Sequence, residues 1–253
     1  PTTIRIYEIL KELGLKIVTG KKFYKSQIDE NLILQKKTDL ISGKDRKKII
    51  ENAKNQKKKV VVFDDGLQDR TICYNLQFVC FDNKNFIGNG RLIPSGPLRE
   101  KINSLNKYDG VFLKTKKNDS TEVQKLIIKK FNPSIEIFET YFEIINIDKF
   151  DLSQNYIIFS GIGNHENFKE ILKNNGFNIL SEHIFEDHHN YNKKEITNIL
   201  NQAKNINAKV ITTEKDFVKI EKIIDYGVDF VEVKLNVKNE QKLKDFLKQK
   251  LDE

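Results

Sequence analysis

Val60-Val61-Val62-Phe63-Asp64-Asp65-Gly66-Leu67-Gln68 is the stretch on which the reading of this chain turns. Four apolar, mostly β-branched residues bounded by polar ones predict a buried strand of a parallel sheet. Open α/β sheets gather their ligands beyond the carboxyl ends of the strands, which is where Asp64 and Asp65 fall. A hard cation such as Mg²⁺ takes carboxylate oxygens together with substrate phosphates, so this pattern suits a nucleotide–metal site. A strand followed by an Asp-Gly turn with no chemistry is the competing reading.

Downstream lies Gly88-Asn89-Gly90-Arg91-Leu92-Ile93-Pro94-Ser95-Gly96-Pro97-Leu98-Arg99-Glu100, with three glycines and two of the chain's four prolines. It is too long for a hairpin turn and too apolar for a disordered linker, and long ordered loops in compact domains are usually functional. Arg99 offers a guanidinium fork for phosphate, and Glu100 beside it a carboxylate able to hold a metal.

Outward from this centre the chain alternates helices and strands, which makes both halves α/β. Ile6, Ile9, Leu10 and Leu13 form one face of a first helix that Gly14 closes. A strand over 15–19, a basic aromatic loop Lys21–Tyr24 and a helix from Ser26 to Leu34 follow. Asp29 and Glu30 occupy that helix's first turn, where the helix dipole favours acids. A strand over 40–42 and a helix over 45–55 lead into Val60, and strands over 76–81 and 110–114 and a helix over 121–130 follow. Residues 135–147 are extended and alternating, which predicts a connecting strand. The expected organisation is therefore a first domain over 1–133, a β linker over 134–150 and a second α/β domain over 151–253, with 229–237 pairing with the linker. A first helix in such a domain is normally fed by a strand, so an opening strand is expected upstream of Pro1.

The 253 residues carry 44 Lys and Arg against 36 Asp and Glu, a net charge of +8. The lysines are dispersed and mixed with acids, which argues against nucleic acid and suits a phosphorylated substrate or an anionic membrane surface. No apolar run approaches the roughly eighteen residues of a membrane span, and no signal peptide opens the chain. Cys73 and Cys80 fit neither a disulfide framework nor a zinc site, and are expected as buried free thiols in a reducing cytosol.

Two further constellations stand out. Gly161-Ile162-Gly163 after a strand lacks the third glycine of a dinucleotide fingerprint, so a tight strand-to-helix turn is expected. Asp187-His188-His189 also follows a strand. It reads as half a metal site, as a histidine for proton handling beside a carboxylate, or as a solvated polar loop.

Taken in order, Asp64-Asp65-Gly66-Leu67-Gln68, the run from Gly88 to Glu100, Phe159-Ser160-Gly161-Ile162-Gly163-Asn164, Asp187-His188-His189-Asn190-Tyr191 and Thr213-Glu214-Lys215-Asp216 resemble the tetraacyldisaccharide 4'-kinases of lipid A biosynthesis. The resemblance spans nearly the whole chain, and the ordered set is specific where each motif alone is not. It implies a P-loop-kinase-like parallel sheet domain, a smaller α/β domain and a short β linker. It also implies ATP- and Mg²⁺-dependent phosphorylation of the 4'-hydroxyl of a tetraacyl glucosamine disaccharide 1-phosphate at the cytoplasmic face of the inner membrane. A monomer is expected. By position, Asp64, Asp65 and Glu100 would hold Mg²⁺, and Gln68 and Arg99 would line the nucleotide. Arg46 would stand near the active site, Asp29 would act as base, and His188 would pair with it, with His189 the fallback.

Several departures bear on that picture. The family's Walker A loop would lie just before Pro1, together with a membrane-anchoring helix, and without its lysine and hydroxyl residues 1–253 are expected to bind ATP weakly. Asp69 stands where the family often has histidine, Thr19–Tyr24 replaces its Ser-Arg-Gly-Tyr-Gly loop, and His165 replaces a proline. Ile28 and Asn31 flank Asp29-Glu30 where the family has Gly-Asp-Glu-Pro. The alternative is a non-catalytic nucleotide-binding relative.

Overall fold

The computed structural model describes residues 1–24, 28–224 and 226–252. Helix α1 (Thr2–Glu12) is followed by β1 (Ile17–Lys22), α2 (Ile28–Lys37), β2 (Leu40–Gly43), α3 (Arg46–Asn55), β3 (Val60–Phe63), β4 (Phe78–Asp82), β5 (Gly110–Lys114) and α4 (Glu122–Phe131). Then come β6 (Glu136–Ile144), β7 (Asn155–Ser160), α5 (His165–Asn174), β8 (Asn178–Ile184), α6 (Lys193–Asn205), β9 (Ala208–Thr213), α7 (Glu214–Ile220), β10 (Val228–Val231), β11 (Val233–Val237) and α8 (Glu240–Asp252). The helix expected from Ser26 begins at Ile28 among the described residues; Ser26 and Gln27 lie outside them.

Two compact units emerge, one of residues 1–15, 65–142 and 235–253, the other of 16–64 and 143–234. These differ from the sequential stretches expected. Residues 16–64 cluster with 143–234 because α2 packs along α7, and 235–253 cluster with 1–15 and 65–142 because α8 packs along α1.

The first unit is built on a sheet of order β11-β6-β5-β4, in which β4, β5 and β6 run parallel. Leu105, Val111, Leu113 and Ile135 pack on one face against Ile128 of α4. Phe78, Phe112 and Phe138 cross the other face and meet Phe246 of α8, at centroid distances of 5.2 to 6.3 Å that suit tilted and edge contacts. Helix α1 buries Ile6, Ile9 and Leu10, and ends as expected with Gly14 at φ 81°, a left-handed position that glycine adopts without strain. Both cysteines are exposed, contrary to the buried thiols expected. Cys80 lies on edge strand β4, on the face opposite Val79 and Phe81, the residues that pack into the core, and Cys73 lies in the irregular segment before that strand.

The second unit contains two parallel sheets, β2-β1-β3 and β10-β9-β7-β8. The strand β7 is internal, and Tyr156 to Phe159 are wholly buried. Tyr156 and Ile158 enter the cluster with Phe168, Leu172 and Ile211, while Ile157 and Phe159 enter the one with Ile196, Val210 and Ile220. That alternation is the two-residue period of a strand covered on both faces. The smaller sheet packs Val18 and Ile41 against Ile49 and Ala53 of α3, which Asp45 caps by accepting from the Lys48 N–H at 2.8 Å. Strand β3 is half-buried, not buried, because it is the edge of this sheet and, among the described residues, pairs with β1 alone.

Candidate active site

In the second unit Asp29 is the second residue of α2, an acid in the first turn of a helix, and only 3% of it is exposed. His188 Nδ1 lies 3.0 Å from each of its carboxylate oxygens. Lys215 and Lys219, one turn apart on α7, bring their ammonium groups to 3.7 Å from Asp29 Oδ2. A buried carboxylate is costly unless paired, and here three basic side chains share that task.

The loop bearing His188 is held from several sides. The His188 backbone sits at φ 62°, a left-handed conformation unusual outside glycine, and its N–H donates to the Gly161 carbonyl at 3.1 Å. Asp187 pairs with Lys215 at 3.2 Å. Burial pushes the Asp187 carboxyl up, but Lys215 and His188 outweigh it and leave it below its ordinary value. His189 turns elsewhere: it stacks on Phe185 at 4.7 Å and reaches Glu195 at 3.3 Å. Of the two candidate histidines, His188 is the one that meets Asp29.

Beneath the loop, Asp216 is fully buried at the start of α7. It accepts from the Gly161 N–H at 3.1 Å, the Tyr191 hydroxyl at 3.0 Å and the Thr213 hydroxyl at 2.7 Å, and pairs with Lys219 at 2.8 Å. Burial first, and Asp216 second, push the Tyr191 phenol far up, so it stays a protonated donor. The expected strand-to-helix turn at Gly161-Ile162-Gly163 is thereby tied to the motif Thr213–Asp216. Nothing in the local sequence predicts that link.

At the end of β3, Asp64 Oδ2 receives Lys21 Nζ at 2.5 Å, and the same ammonium reaches Glu30 Oε2 at 2.6 Å. Glu30 is also 3.9 Å from His188 Nε2. Asp64, Lys21, Glu30, His188 and Asp29 thus form one continuous run of ionisable side chains. Lys21 was expected in a loop, but β1 extends through Lys22 and its side chain is 3% exposed. A lysine closing an apolar strand is solvated by default, so only tertiary structure reveals its burial. Arg46 opens α3 with its guanidinium 5.8 Å from the Phe63 ring, next to Asp64 in the chain.

In the first unit Asp65, at φ 49°, pairs with Arg99 at 2.5 Å, both side chains being exposed. Gln68 Nε2 lies 3.4 Å from Glu100 Oε1, and the Tyr108 hydroxyl donates to Glu100 Oε2 at 2.9 Å. Burial and that carboxylate push the Tyr108 phenol to about 12. The Gly88–Glu100 loop is internally bonded, with Asn89 Nδ2 on the Ser95 carbonyl at 2.8 Å and the Ile93 N–H on the Leu98 carbonyl at 2.9 Å. A side chain at Gly96 would run into Asn89 and the Arg91 carbonyl. Asp69 accepts from the Thr71 N–H and hydroxyl, and so acts as a turn former. Buried His165 bridges Ser160 at 2.7 Å and Glu182 at 3.0 Å, a structural network at the start of α5.

The model of the tetraacyldisaccharide-1-P 4'-kinase family matches residues 5–252. The chain belongs to that family. Similar proteins include the tetraacyldisaccharide 4'-kinase of Pelagibacter ubique, 43% identical over 95% of this chain and 76% of that one. The Rickettsia bellii enzyme of the same name is 38% identical over 83% of this chain and 64% of its own length. The chain therefore spans about three quarters of the first kinase and less than two thirds of the second. A crystal structure of the family member LpxK from Aquifex aeolicus, described as in complex with ATP, superposes with a TM-score of 0.71 at 21% identity, over 99% of this chain and 83% of that one. That likeness is one of fold. It bears out the α/β architecture, a kinase-like parallel sheet domain with a second α/β domain, expected from the sequence.

Proposed function

We propose that this chain phosphorylates the 4'-hydroxyl of a tetraacyl glucosamine disaccharide 1-phosphate with ATP, a step of lipid A biosynthesis. The observation that carries this reading is the Asp29–His188 pair, a carboxylate almost wholly withdrawn from water with an imidazole nitrogen 3.0 Å from it. Phosphoryl transfer asks a protein for positioning, charge stabilisation and a group to orient the attacking hydroxyl. Asp29 accepts the proton of the sugar hydroxyl, and His188 holds the carboxylate in one orientation.

Carboxylate oxygens are the donors Mg²⁺ prefers, and it commonly takes one or two of them beside phosphates and water. Asp64 and Asp65 end a strand, and their present partners are cations, Lys21 and Arg99. Each of these two carboxylates, already facing a cation, suits such an ion. By the family's pattern Asp64, Asp65 and Glu100 would be its ligands, and when bound it would neutralise charge on the nucleotide phosphates. Gln68 and Arg99 contact the nucleotide, and Arg46 steadies the end of β3 through Phe63.

Among the described residues no helix is long and apolar enough to cross a membrane. The acyl chains of the acceptor put the reaction at a membrane surface, for this family the cytoplasmic face of the inner membrane, and the net charge of +8 suits an anionic bilayer. Incubating the purified protein with ATP, Mg²⁺ and the tetraacyldisaccharide 1-phosphate and weighing the product by mass spectrometry tests the reading. A gain of one phosphate at the 4'-position is expected. No gain at saturating ATP, with the acceptor dispersed and the protein folded, refutes it.

A further inference from the structure

The ion pair inside the second unit, where Lys21 meets Asp64 and Glu30, is not required by the reaction as described. Lys21 is anchored on β1, whose register sets Gly20 opposite Phe63 and Lys21 opposite Ser42, so its side chain rises at the end of the sheet. Its ammonium is almost fully buried and spans two carboxylates at 2.5 and 2.6 Å. The two acids therefore face one shared ammonium.

Both carboxylates approach one nitrogen, so they lie close enough to share a small ion. Hard divalent cations are taken by such oxygen pairs, at metal–oxygen distances of about 2.0–2.6 Å. One ammonium against two carboxylates leaves a single negative charge. We propose that Lys21 is the resident counter-ion of Asp64 and Glu30, a positioning residue that keeps a divalent cation from being shared between these two acids. Asp64 is left to engage the metal from its own end, and Glu30 stays beside His188 and Asp29. The inference rests on the reading of Asp64 as a metal carboxylate.

The test measures Mn²⁺ binding to the protein by electron paramagnetic resonance, with neither nucleotide nor acceptor present. Lys21→Met removes the charge at nearly the same side-chain length. Its Mn²⁺ affinity is expected to rise by about tenfold, because two neighbouring like charges are left to be neutralised. Adding Glu30→Gln to that variant should abolish the gain, and Lys21→Arg should keep the wild-type affinity. Mn²⁺ affinity that is unchanged or weaker in folded Lys21→Met overturns the proposal. If Lys21→Met does not fold, Lys21→Gln takes its place: it removes the same charge but keeps a polar group between the two acids, the same rise is expected, and an unchanged or weaker affinity overturns the proposal. Phosphorylation by the unsubstituted protein reports separately on the kinase reading, so the two can fail independently.

Discussion

His188 reaches both oxygens of Asp29 through a single nitrogen, with Nδ1 at 3.0 Å from each, across 159 positions of sequence. So symmetric a contact fixes the plane of the carboxylate, and a fixed carboxylate is what a hydroxyl needs if it is to be deprotonated along one direction. Asp29→Asn keeps the shape and removes the base. Turnover should fall by about 10²–10⁴, the span of general-base catalysis, while the ATP dissociation constant stays unaltered. Equal losses in turnover and ATP affinity would assign Asp29 to nucleotide binding.

His188 itself can be tested without disturbing the loop. Its left-handed backbone, at φ 62°, is one that asparagine tolerates better than most residues. His188→Asn should therefore retain the melting temperature while turnover drops. A matching fall in melting temperature would show that the imidazole serves the fold and not Asp29.

Asp216 is the keystone beneath that loop. Replacing a buried carboxylate that serves the Gly161 N–H, two hydroxyls and Lys219 strips each of them of that partner. Asp216→Ala should cost about 3–5 kcal/mol in urea unfolding. Tyr191→Phe removes one donor and leaves the rest, so about 0.5–1.5 kcal/mol is expected. Similar costs for the two would argue that the network is not centred on Asp216.

Acid sensitivity should show in the first unit. Burial pushes Glu139 up, but Lys125 and Lys238, the latter at 2.7 Å, outweigh it and leave the carboxyl below its ordinary value of 4.5. A depressed native pKa contributes stability that is present above the unfolded value and is lost as pH falls through the folded one. Urea midpoints of the wild type should accordingly drop as pH is lowered below 4.5, and Glu139→Gln should flatten that limb. An equally steep limb in the variant would place the acid sensitivity elsewhere.

Much of this was legible in the residues, for reasons particular to each stretch. The apolar run Tyr156–Phe159 is local, and β7 forms there; α5 and α6 begin at Asn164 and Asn192, whose side chains cap them. Strand β3 was legible as a strand but not as an edge, because an apolar run reports what a residue can bury and not how many neighbours its strand finds. The cysteines misled for the same reason. Lys21 was invisible because its burial depends on two acids, one 9 and the other 43 positions away. The Asp29–His188 contact was anticipated only through family resemblance, since no local pattern distinguishes a first-turn aspartate from a working one.

The glycine turn supplies the last prediction. A Cβ at Gly161 would lie 2.9 Å from the Glu186 carbonyl oxygen, 3.0 Å from the Tyr191 hydroxyl and 3.1 Å from His189 Cβ. The first of these is backbone and cannot swing aside, so Gly161→Ala must push the 186–189 turn outward. Because the Gly161 carbonyl also receives the His188 N–H at 3.1 Å, that shift draws the imidazole off Asp29. Turnover should fall, and amide exchange at His188 should accelerate relative to Phe185, whose N–H is bonded instead to the Ser160 carbonyl at 2.9 Å. Gly163→Ala is the control. Its nearest neighbour is the end of the Asp187 side chain at 3.3 Å, which can give way, so exchange at His188 should stay at the wild-type rate. If both substitutions accelerate that amide alike, the loop is seated by something other than the close approach at Gly161.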